Sequence, residues 1–115
     1  MTDDCLFCKI AKGEIPSKKV YEDERVFAFE DINPQAPVHI IIIPKRHIGG
    51  LNSLSEGDEA VLGYIQAAAA KIASQFQELK NGYRLVNNCG ADAGQTVFHI
   101  HYHLLGGRTF GWPPG

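Results

Sequence analysis

The chain has 115 residues, 44 % of them hydrophobic, and a formal net charge of −2. That length allows one domain over 1–115 with a real core, and no room for a second. Its basic residues are scattered, which argues against a nucleic-acid partner, since such a partner needs a concentrated cationic face. A small phosphate ligand needs only a few well-placed donors and stays open. Met1-Thr2-Asp3-Asp4 offers neither the basic nor the apolar stretch of a signal peptide, and no apolar run approaches membrane-spanning length. A cytoplasmic location without a membrane partner is expected. Cys5, Cys8 and Cys89 should then be reduced thiols rather than a disulfide framework.

In chain order, Cys5 to Lys12 reads as a short helix ending near Gly13. Val20-Tyr21-Glu22 reads as a short strand and Asp23-Glu24 as a tight turn. Arg25 to Phe29 alternates as a second strand, with Phe27 and Phe29 on one face. Asp31 to Pro37 is a loop, because its two prolines forbid regular pairing. Val38 to Ile43 is β-branched almost throughout and reads as a buried central strand, interrupted by His39 and stopped by Pro44. Ser55-Glu56-Gly57-Asp58 has a hydroxyl cap and an acid three residues on, the signature of a helix start. Val61, Leu62, Ile65, Ala68, Ala69, Ile72 and Phe76 follow at helical spacing, and Asn81-Gly82 is the expected end. Tyr83 to Val86 is the next strand, Asn88 to Gln95 a Gly-containing loop, and Val97 to Leu105 the last strand. Short connections favour antiparallel pairing, giving an α+β domain: a five-stranded antiparallel sheet, one long helix and a short N-terminal helix.

The chemistry concentrates in His99-Ile100-His101-Tyr102-His103. As a strand, this run puts the three imidazoles on one face and Ile100, Tyr102 and Leu104 on the other. Alternate strand residues lie roughly 6.5–7 Å apart, so the row spans about 13 Å and cannot converge on one metal ion. It can place a nucleophile at its centre with an imidazole on each side. A neutral imidazole nitrogen can attack phosphorus, and a neighbouring imidazolium can protonate a leaving amine. His39 is either a satisfied core histidine or a fourth imidazole of that group. The glycines of the preceding loop let backbone N–H groups approach an anion, with Asn88 and Thr96 as neutral donors. Asp31 is either a turn cap or an acceptor for a ribose diol.

His99 to Leu105 matches the pattern His-φ-His-φ-His-φ-φ, with φ apolar. Asp31-Ile32-Asn33-Pro34, Ile43-Pro44-Lys45-Arg46-His47-Ile48, Gly94-Gln95, Leu105-Gly106-Gly107-Arg108 and Trp112-Pro113-Pro114-Gly115 extend the likeness over nearly the whole chain. The sequence resembles the histidine-triad family, in its HINT branch. The resemblance implies a homodimer whose sheets join across the two-fold axis, binding of purine nucleoside monophosphates of the AMP or GMP type, and hydrolysis of phosphoramidates and related nucleotidyl conjugates. By position, His101 matches the nucleophile, with His103, His99 and His39 around it. Asp31 matches the ribose ligand. Asn88, Gly94, Gln95, Thr96 and Val97 fall where phosphate is held, and Phe7, Ile10, Phe29, Ile32 and Ile41 where the base is sandwiched. Trp112 matches a tail residue that reaches the partner subunit's site.

Cys5-Leu6-Phe7-Cys8 has a spacing that suits tetrahedral zinc. In the resemblance it is part of a zinc site that His47 and His99 complete. Such zinc would be structural, with no cofactor required for catalysis. Two other readings compete with a phosphoramidase: a nucleotide-binding regulatory module with incidental hydrolysis, and a zinc hydrolase with metal-activated water. The second fits poorly, because Cys₂His₂ ligation leaves no open position on the ion.

Overall fold

The computed structural model describes residues 4–115. Met1, Thr2 and Asp3, part of the segment read as lacking a signal peptide, lie outside the described residues. The elements are α1 (Leu6–Ala11), β1 (Lys19–Glu22), β2 (Val26–Glu30), β3 (Val38–Pro44), α2 (Glu59–Ala73), β4 (Tyr83–Asn87) and β5 (Tyr102–Gly106), with three short 3₁₀ turns between them. The five strands form one antiparallel sheet in the order β1-β2-β3-β5-β4. No helix among the described residues is long and apolar enough to cross a membrane.

Strand periodicity divides the core in two. On one face Val26, Ala28, Val38, Ile40, Ile42, Tyr102 and Leu104 pack under Ile65, Ala68, Ala69 and Ile72 of α2. On the other, Phe27, Phe29, Ile41 and Ile43 pack with Phe7 and Ile10 of α1. Every position of β3 is buried, as expected of a central strand covered on both sides. His39 lies on the α1 face, as does His103, which pairs in register with Ile41. The long helix therefore backs the sheet, and His39 and His103 lie on the opposite face.

Three boundaries depart from the sequence reading. The helix begins at Glu59 rather than Ser55, because Gly57 takes a φ of +90° that breaks the helical path. The Asp58 carboxylate still turns back to accept from the Ser55 backbone N–H at 2.7 Å, half of the expected capping box. The helix also ends at Ala73, well before Asn81. There Ser74 Oγ donates to the Lys71 carbonyl at 2.7 Å, competing with the helical ladder. Phe76 lies beyond the helix but still packs on the α2-side core.

The last strand covers Tyr102–Gly106 only, so His99 and His101 precede it rather than belong to it. Pro44 supplies the reason. It forms the end of β3 rather than the residue after it, and it lacks the N–H that a longer ladder to β5 would require. Its carbonyl instead accepts from His99 Nε2 at 2.8 Å. Ile100 N–H bonds to the Ile48 carbonyl at 2.6 Å, so the approach to β5 runs along the loop after β3. The three histidines are consequently not an even row: each ring goes to a different set of partners.

Candidate active site and metal centre

His101 is 6 % exposed, and its Nδ1 lies 2.8 Å from the His99 carbonyl oxygen. A carbonyl only accepts, so Nδ1 carries the proton and Nε2 is left with a bare lone pair. Burial lowers the His101 pKa, against the opposing pull of the His99 carbonyl and Asp31. The ring is thus neutral near pH 7, with an available lone pair on Nε2.

The same logic sets the tautomers of its neighbours. The Gln35 backbone N–H donates to His39 Nδ1 at 3.0 Å, so the His39 proton sits on Nε2. That nitrogen is 2.9 Å from His103 Nδ1 and 3.3 Å from Asp31 Oδ2. His103 Nδ1 therefore accepts, and the His103 proton sits on Nε2. The His101 and His103 rings have centroids 5.1 Å apart. Burial, then the nearby His101 and His39, push the His103 pKa down to about 4, while Asp31 works the other way. Burial lowers His39 as well, again opposed by Asp31. Among the described residues, Asp31 is the carboxylate placed to favour a proton on this pair, and a phosphate anion set beside it would act in the same direction.

A cavity of about 770 Å³ opens beside this group. Phe7, Ile10, Phe29, Ile32 and Ile41 all line it, and so does Asp31. The five apolar side chains assigned to a base and the carboxylate assigned to a ribose are thus brought to one pocket. Ile32 is fully exposed at its mouth, and Phe29 and Phe7 meet edge to face at 5.7 Å. Asp31 Oδ1 accepts from the Asn33 N–H at 2.8 Å, which fixes the carboxylate at the rim.

The loop before His99 has a different internal economy from the one expected. Gln95 is buried, and its amide is committed to the loop itself. Nε2 donates to the Gly49 and Val97 carbonyls at 2.8 and 3.1 Å, and Oε1 accepts from the Gly90 N–H at 2.8 Å. Gln95 braces the loop, with both of its donor hydrogens used within the protein. Gly94, at φ +87°, holds a left-handed turn. Asn88 is half-buried, Thr96 exposed, and Val97 half-buried against the α1-side core. Trp112 is 83 % exposed on the tail and does not line the cavity.

The sequence reading missed three contributions. Ile15, Pro16, Ser17 and Lys18 also line the cavity. The Gln35 N–H sets the His39 tautomer, and Pro44 O orients His99. The last two act through backbone atoms, which no side-chain pattern announces.

Cys5, Cys8, His47 and His99 converge, with one ligand atom of each within 4.8 Å of the others. Cys5 Sγ is 3.3 Å and Cys8 Sγ 3.5 Å from His99 Nδ1, and Cys8 Sγ is 3.4 Å from His47 Nδ1. The two Nδ1 atoms are 3.2 Å apart. Ordinary Zn–S and Zn–N bond lengths give a tetrahedron with S···N edges of about 3.6 Å and an N···N edge of about 3.3 Å. The observed edges agree to within a few tenths of an ångström. His99 Nε2 donates to Pro44 O, so its Nδ1 lone pair must face the cluster. The Cys8 N–H donates to Cys5 Sγ at 3.3 Å, which suits a thiolate there. Burial, then the Cys5 side chain, raises the Cys8 thiol to about 11; a bound dication reverses that balance and displaces the proton. The residues fit a structural zinc, whose four protein ligands close its coordination sphere.

Comparison with known proteins agrees with this geometry. The model of the HIT domain matches residues 12–110. The chain is 54 % identical to the 14 kDa zinc-binding protein of Zea mays over 113 residues, 96 % of this chain and 87 % of the relative. It is 50 % identical to the purine nucleoside phosphoramidase of Escherichia coli over 111 residues, 96 % and 93 % of the two chains. The HIT family hydrolase from Legionella pneumophila superposes with a TM-score of 0.93 at 52 % identity, over 97 % of this chain and 100 % of that one. With its histidine run, its five-stranded sheet and these likenesses together, the chain belongs to the histidine-triad (HIT) family.

Proposed function

We propose that the protein hydrolyses purine nucleoside phosphoramidates and related nucleotidyl conjugates through a nucleotidyl-His101 intermediate. The observation that carries this reading is the Nδ1 bond of His101 to the His99 carbonyl, which leaves Nε2 unprotonated in a buried ring. The purine lies between Phe7, Ile10, Phe29, Ile32 and Ile41, and the ribose diol bonds to Asp31. As the phosphate anion settles, the His39–His103 pair takes up a proton beside Asp31. His101 Nε2 then forms a bond to phosphorus while the P–N bond breaks, and the departing amine takes its proton from His103. In the second half, water attacks phosphorus and gives its proton to His103. The Nε2–P bond breaks, nucleoside monophosphate leaves, and the pair holds its proton again. The 50 % identity to the Escherichia coli purine nucleoside phosphoramidase supports the substrate class.

We read the protein as a homodimer joined near α2 and β4, with Trp112 reaching the partner's site. The exposure of Trp112 and Tyr83 on one chain is in keeping with this, and light scattering should give twice the monomer mass. Release of the amine from an adenosine phosphoramidate tests the activity. Wild type should turn over, and His101→Asn should bind the nucleotide but not turn over. Comparable rates for the two proteins refute the proposal.

A further inference from the structure

α1 belongs to two sites at once. It has six residues, too few to be stable alone. Cys5 caps its N-terminus and Cys8 is its third residue, so both thiols of the metal cluster come from this element. The other two ligands, His47 and His99, come from the loops beyond β3 and before β5. A cation held by all four would pin α1 to the sheet. Phe7, between the two cysteines in sequence, forms a wall of the cavity. Its ring meets Phe29 at 5.7 Å, His101 at 5.0 Å and His99 at 6.1 Å, all edge to face. His99 provides a second link: its ring faces the cluster while its carbonyl holds His101 Nδ1.

We propose that Phe7 and His99 couple the two sites, so that zinc and a purine nucleoside monophosphate bind with positive linkage. Zinc holds α1, α1 holds Phe7 against the base, and His99 keeps the nucleophile in register. Without the ion, α1 spends about nine-tenths of its time away from the sheet, and the apparent nucleotide Kd rises by the reciprocal of the fraction that stays docked. Because linkage is reciprocal, bound nucleotide must tighten zinc by the same factor. The inference rests on the nucleotide reading of the cavity given above.

Two titrations test it. In the first, calorimetry gives the Kd of adenosine 5′-monophosphate for zinc-loaded protein and for chelator-stripped protein that still unfolds cooperatively on heating. In the second, a chromophoric chelator gives zinc affinity with and without saturating nucleotide. The expected result is about a tenfold weaker nucleotide Kd after stripping, with the same factor in zinc affinity, in the usual range for coupled sites. Phe7→Leu, which keeps all four ligands, should shrink both factors together. Should stripped protein unfold, His47→Gln keeps three ligands and should give an intermediate nucleotide Kd. Equal nucleotide Kd values for loaded and stripped protein, or zinc affinity indifferent to nucleotide, overturn the linkage while leaving the functional reading intact. Nucleotide binding to no form of the protein overturns both.

Discussion

Asp31→Asn separates the two tasks of one carboxylate. The substitution keeps an oxygen for the Asn33 N–H, 2.8 Å from Asp31 Oδ1, so the turn at the cavity rim survives. It removes the negative charge 3.3 Å from His39 Nε2 and the charged acceptor for a ribose diol. Each carboxylate oxygen accepts two hydrogen bonds, and each already faces one group of the protein. One position per oxygen remains, enough for the two hydroxyls of a ribose. Hydrogen bonds to a charged group contribute roughly 1.5–3 kcal/mol, so nucleoside monophosphate affinity should fall about tenfold to a hundredfold. Calorimetry with the ribonucleotide and with its 2′,3′-dideoxy analogue checks this. The variant should weaken the first and barely change the second. Equal loss for both ligands would show that Asp31 acts on something other than the diol and refute the reasoning. Turnover should fall further than affinity, because His39 and His103 lose the charge that opposes their burial.

Three other outcomes follow from the fold and its titrating groups. Gly106→Ala places a Cβ against Leu79 Cδ2 in the α2-side core, an overpacking that should cost about 1–3 kcal/mol and be visible as a lower Tm. The folded pKa of His103, about 4, lies below its ordinary 6.5, so between those values the unfolded chain binds more protons. Stability should therefore be full above pH 6.5, fall as the pH drops towards 4, and fall less steeply in His103→Asn, as followed by thermal melts across that range. Acid competes with a metal for thiolate ligands, so elemental analysis of protein dialysed at descending pH should show zinc lost, with circular dichroism showing the loss of α1 helicity alongside it.

Much of this architecture is written in local pattern. The β-branched run of β3, interrupted only by His39, and the helical spacing from Val61 to Ile72 each need only neighbours in sequence to be read, and both occur where they were expected. Tyr102 and Leu104 turn to the α2 side as alternation requires. What escaped is set by single long-range or backbone events. Pro44 ends the ladder to β5 and sends its carbonyl to His99, a contact across 55 residues. Ser74 stops α2 by bonding its own helix. Gln95 has a polar side chain that suits phosphate, yet the Gly49 and Val97 carbonyls take both of its donor hydrogens and Gly90 N–H bonds its oxygen. The Cys-x-x-Cys pair was visible, but its partners His47 and His99 are 39 and 91 residues from Cys8, and only family resemblance named them.

The central claim is that His101 Nε2 becomes covalently bonded to phosphorus. Rapid acid-free quenching of wild-type protein mixed with an adenosine phosphoramidate, followed by intact-mass measurement and peptide fragmentation, tests it most directly. A single adenylyl adduct should map to His101, form no more slowly than the amine is released, and be absent in His101→Asn. Amine release at full rate with no adduct at any time, or an adduct mapped to His103 or His39, contradicts it.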